Sequence, residues 1–161
     1  MMKPAAEYLL AESLIAHLQG DSELEGAVIA EPFDRVDQSQ AIALAAAQYE
    51  FAIAVEPMEL QLPTNPDDRT GVVTLRLAVH VMSTQQVTSG ISARALAAAV
   101  QGAVLARCSS WYPEGMAGIP YALPELERVV ELDFSKFEEL ANLTGSAIIL
   151  THKVNLKQYY I

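Results

Sequence analysis

Cysteine occurs once in these 161 residues, at Cys108, which excludes an internal disulfide framework and a multi-cysteine zinc site. Basic residues are also scarce. Ten Lys and Arg stand against twenty Asp and Glu, for a formal charge of −10. A broad surface that grips DNA or an anionic membrane needs clustered Lys and Arg, and this balance argues against one. No window reaches the ~18 apolar residues of a membrane span. The apolar stretch from Tyr8 to Leu18 is broken by Glu12 and His17, so it does not read as a signal peptide. Glycine-rich phosphate loops, internal repeats and low-complexity linkers are all missing, and the expectation is one domain over residues 1–161. What the chain has is apolar content: 52% hydrophobic against 19% charged residues, a composition that folds.

The charge is uneven. Residues 1–68 hold Lys3 and Arg35 against thirteen carboxylates, for −11, and residues 69–161 hold eight basic and seven acidic residues, for +1. From Ala141 to Ile161 there are Lys153 and Lys157 and no carboxylate. Such a molecule can pair head to tail with copies of itself, or it can simply carry an uneven solvated surface.

Leu10, Leu14 and Leu18 recur every four residues between Pro4 and Gly20, the pattern of an amphipathic helix. Ala27–Ala30 reads as a short strand ended by Pro32, and Gln38–Gln48 as a helical or irregular run. Phe51, Ile53 and Val55 alternate as in a strand. Pro57 interrupts that strand, which implies an edge or a bulge, and Met58, Leu60 and Leu62 resume it. Residues 63–71, Pro-Thr-Asn-Pro-Asp-Asp-Arg-Thr-Gly, are the strongest loop signal. Val73, Leu75, Leu77, Val79 and Val81 then mark one face of a long second strand, closing a β-hairpin. Ser92 caps a predicted helix through about Ala106. An irregular stretch from Cys108 to Pro124 leads to a strand at Arg128–Asp133. Ser135 to Glu138 has capping-box spacing for a short helix. Ile148, Leu150, Val154 and Leu156 share a face of a long closing strand that also carries His152. The reading is α+β: a mostly antiparallel sheet with a long hairpin, and helices packed on one face.

Chemistry is thinly supported. His17 belongs on the polar side of the first helix. His80 and His152 lie on strands that can be neighbours, but no fixed-spacing metal motif joins them. Cys108 lacks a nucleophile signature and reads as a small buried side chain. Asp67-Asp68 and Glu138-Glu139 have no acid/base partner in the pattern. No catalytic, cofactor-binding or metal-ligating residue is assigned, and no cofactor or enzyme activity is expected. Trp111, Tyr112 and Tyr121, set among glycines and prolines, are candidates either for a docking surface or for an ordered loop tucked over the core. Tyr159-Tyr160-Ile161 at the C-terminus poses the same choice.

The order of helix, short strand, long hairpin, helix, irregular segment, strand, short helix and long final strand resembles the tail terminator proteins of tailed bacteriophages, and related minor tail and neck proteins. The resemblance spans nearly the whole chain. It is carried by the strand from Gly71 to Val81, the Ser92–Ala106 helix and the closing segment from Leu143 to Val154. It implies structural work: a ring, commonly of six copies, seated on the last ring of tail tube subunits. There it stops tube growth and offers a joining surface to the neck or head. Implied partners are further copies, the tail tube protein, a neck or connector protein, the sheath in a contractile tail, and DNA passing a channel without specific binding. No membrane partner is implied. The implied setting is the virion, assembled in the host cytoplasm. Candidate interface residues are Asp67, Asp68 and Arg69 in the loop, Trp111, Tyr112 and Tyr121, and Lys153, Lys157, Tyr159 and Tyr160 at the end. Another head–tail joining protein is the nearest alternative reading. A small-molecule-binding domain with a pocket enclosing His80 and His152 is the more distant one.

Overall fold

The computed structural model describes residues 5–33, 38–58, 60–63, 65, 70–85, 90–113, 125–133 and 138–160. The four-residue leucine spacing builds α1 (Ala6–Gln19), which buries Leu10, Leu14 and Leu18 together with Ala11 and Ile15. It stops at Gly20, where the Gly20 N–H bonds back to the His17 carbonyl and the Asp21 N–H to the Leu18 carbonyl. A 3₁₀ turn over Glu25–Ala27 follows. That turn takes up the first part of the expected Ala27–Ala30 strand, and what remains is a single parallel bridge between Val28 and Ile53. Next come α2 (Ser39–Tyr49) and, after Glu50 in a left-handed conformation, β1 (Phe51–Pro57).

β2 (Val72–Thr84) pairs antiparallel with β1 from Phe51↔Ser83 to Pro57↔Leu77. Pro57 closes β1, and among the described residues past it no regular strand resumes. The chain there keeps touch with β2 through Met58 N–H to the Arg76 carbonyl (2.9 Å) and paired bonds between Gln61 and Thr74. α3 (Ala93–Ser109) starts where Ser92 Oγ accepts the Ala95 N–H at 3.1 Å, and it runs three residues past the expected end. β3 (Glu125–Leu132) begins earlier than the alternation implied. Of the expected short helix, Ser135 lies outside the described residues, and the described part is a 3₁₀ turn over Glu138–Leu140. β4 (Leu143–Asn155) then pairs with β2 along its whole length and with β3 on its other side. Leu156, expected on that strand, instead opens the short α4 (Leu156–Tyr160).

The sheet order is β1-β2-β4-β3, every pair antiparallel, so β1 and β3 are the two edges. Alternate residues divide between two faces. Ile53, Val55, the alternate residues Val73, Leu75, Leu77, Val79 and Val81, Ile148, Leu150 and Val154 form the main core with α1, α3 and Tyr159 of α4. Ala52, Ala54, Met82 and Leu143 point the other way and are covered by Ile42 and Ala46 of α2 and by Leu140. The α+β architecture is as expected, with one correction: α2 packs on the second face. Its small apolar residues fit against the alanines that β1 presents there.

Candidate functional site

The two strand histidines do not meet. His152 lies opposite Leu75 and His80 opposite Ala147, so they sit five register positions apart and on opposite faces of the sheet. On the second face, His80 Nε2 lies 2.7 Å from Glu56 Oε2, and its ring stands 5.2 Å from that of Phe33. On the core face, His152 is 5% exposed and meets Trp111 edge to face at 5.2 Å. Burial lowers its pKa from 6.5 to about 4. A pocket enclosing both histidines is therefore ruled out by the strand register. His17 sits at the rim of α1, with Nε2 2.9 Å from the Arg107 carbonyl. Cys108 is buried in the core and its thiol is pushed up to about 12 by that burial. Among the described residues, no group of three His, Cys, Asp or Glu could hold a metal ion, and no helix is long and apolar enough to cross a membrane.

The candidate interface residues divide sharply. Trp111 is 2% exposed, packs into the main core and donates its indole N–H to Ser13 Oγ at 3.3 Å. Tyr159 is 1% exposed and contacts Tyr160 edge-on, and burial together with the charges of Tyr160 and Glu7 raises its pKa. Both are core residues, so of the two readings left open the one with aromatics tucked over the core holds for them, which corrects their place among the candidate interface residues: an aromatic just after a helix or strand folds back over the apolar face that element presents. Tyr112 and Tyr160 are exposed, as are Lys153 and Lys157. Asp67, Asp68, Arg69 and Tyr121 lie outside the described residues.

The folded chain also exposes surfaces that residue-type reasoning missed. α2 has no charged residue from Ser39 to Tyr49, and Leu44 is among its most exposed side chains. β3 shows Leu126, Val129 and Val130 to solvent on an edge strand. A signal for both was present: a helix without charge cannot owe its outer face to solvation, and Glu-Leu-Glu-Arg-Val-Val lacks the clean alternation of a half-buried strand. Between α3 and the adjoining ends of β3 and β4 lies an open polar groove of about 460 Å³, lined in part by Gln101, Glu131, Asp133 and Ser146. Ser146 donates to Gln101 Oε1 at 2.8 Å across its floor.

No family model matches the chain, and no curated protein matches it. Among solved structures, a chain of the virion of native gene transfer agent (GTA) particle is similar over 93% of this chain and 98% of that chain. The TM-score is 0.49 and the identity 14%.

Proposed function

We propose that this chain is a non-catalytic structural subunit of a phage-type virion, forming a ring on the end of the tail tube that stops tube growth and offers the joining surface to the neck. The reading is carried by the order of elements. An N-terminal helix, a long antiparallel hairpin, a covering helix, a further strand and a thirteen-residue closing strand follow one another as in the tail terminator resemblance, with a 3₁₀ turn, a single bridge and α2 where that order has a short strand. Charge supports it as well. An acidic subunit around a channel repels phosphate and lets DNA pass without holding it. Exposed apolar surface on α2 and β3 supplies what assembly needs, because a chain that works alone has little reason to keep large apolar side chains in water.

A ring also needs heterologous contacts, in which one patch meets a different patch on the next copy. The uncharged α2 surface on one side of the sheet and the carboxylate-free end of the chain are such unlike surfaces. The deciding experiment is electron microscopy and native mass measurement of the purified chain, alone and with tail tubes. Rings seated on tube ends are expected. A strict monomer that ignores the tubes would end the reading. A chain that instead joins head–tail complexes away from the tube would make it a different neck component.

A further inference from the structure

The outer edge of β3 is a row of backbone donors and acceptors that no described residue pairs. The opposite edge is different. There the segment from Val28 to Phe33 lies along β1, with Ile29 N–H bonding to the Ile53 carbonyl at 2.8 Å and Phe33 N–H to the Val55 carbonyl at 2.6 Å. The sheet can therefore extend at β3, an eight-residue strand on which Leu126, Val129 and Val130 are 44%, 45% and 38% exposed. Charges and a bulge usually guard such an edge against pairing. On β3 they select one pairing instead.

Leu126 and Val129 lie opposite Leu150 and Ile148 and so point to the main-core face. The register shift between Leu126 and Arg128 places Glu127 and Arg128 together on the second face. Glu127 reaches Arg76 there, at 2.9 and 3.2 Å, and Arg128 stands opposite Ile149. We propose that β3 pairs antiparallel with β3 of a second copy about a two-fold axis. In this register Leu126 faces the partner subunit's Val129, and Glu127 faces the partner subunit's Arg128. Every opposed pair from Glu125 to Val130 then shares a face, and the charges at the axis are complementary. A slip of one residue either way sets Glu127 or Arg128 against its own copy and mismatches the faces beside it. The eight-stranded sheet that results covers the apolar edge until the subunit takes its place in the particle.

An isologous contact joins two chains, or two rings face to face, and cannot by itself close a ring. It is separate from the ring contacts, so either idea can fail and leave the other standing. The test uses light scattering and sedimentation of the full chain over a concentration series. Arg128→Glu and Glu127→Arg should each halve the mass found for the wild type, because each puts like charges together at the axis. The double variant E127R/R128E should restore it, since the two positions face each other. Arg128→Glu carries the weight, because Glu127→Arg also removes the contact to Arg76. Hydrogen exchange supplies a second readout: β3 amides should gain protection as concentration rises in the wild type and in the double variant only. A wild type that stays monomeric overturns the proposal. So does a mass that neither single variant changes, or a double variant that remains at half mass.

Discussion

His152 is an ionisable group held where water does not reach, against the edge of Trp111, and its Nε2 has no hydrogen-bond partner among the described residues. Its pKa of about 4 lies below the 6.5 of an unperturbed imidazole, so the unfolded chain takes up a proton first as the pH falls. The stability present above pH 6.5 is therefore lost progressively between 6.5 and 4, by about 3 kcal/mol in all. Urea melts at pH 7 and pH 4.5 measure it. His152→Leu should flatten the dependence in that window, and an equal acid loss in that variant would assign the effect to other groups. Trp111 belongs to the same cluster. Trp111→Ala removes a large buried ring and should cost about 3–5 kcal/mol. Trp111→Phe keeps most of the apolar contact but loses the bond to Ser13, so thermal melts should place it far closer to the wild type. Cys108 behaves alike: with its thiol raised to about 12 by burial, it should resist a thiol reagent in the native protein and react once urea unfolds it.

On α3, Gly102 sits in the helix interior, and a Cβ placed there meets nothing within 4 Å. Glycine at such a position destabilises a helix by about 0.5–1 kcal/mol relative to alanine, with no contact among the described residues to justify it. Gly102→Ala should therefore raise stability by that amount in a thermal melt. If, in the proposed ring, a neighbouring subunit packs closely on this helix, capping of tail tubes should fall in the same variant; unchanged capping would leave that side of α3 facing solvent. α3 was legible in the sequence because its start signal is local: Ser92 caps it and apolar residues recur at helical spacing. The hairpin and the closing strand were legible for a similar reason, since alternation over many residues leaves one choice of face. The Ala27–Ala30 strand failed because four apolar residues fit a turn and a bridge equally well. The choice between docking and core for Trp111 and Tyr159 stayed open in the sequence because aromatic content does not say which way a ring folds. Nor could a single strand's pattern reveal that β3 is an edge, a property set by strand order and hence by distant residues.

Across the whole molecule, the net charge of −10 is concentrated in the first 68 residues, and the structure gives part of it a place. Glu12, Glu23 and Glu25 are exposed on α1 and on the turn that follows it. Asp21, between them, is held 3.7 Å from Arg107. Exposed charges act over about 8 Å at physiological salt, so this surface repels a duplex that passes close by and has little effect at longer range. The intact chain should accordingly give no shift with duplex DNA, even at low salt where electrostatic binding is strongest. Replacing Glu12, Glu23 and Glu25 by Lys changes the charge by +6, from −10 to −4. These positions are on the surface, so the fold should survive, with melting close to that of the wild type. If the chain forms the proposed ring and these residues line its channel, tubes capped by the variant should keep normal length while DNA passage slows, because a lysine-lined aperture holds phosphate. If tube length changes and DNA passage does not, the acidic surface meets protein, and the channel is lined by some other part of the chain.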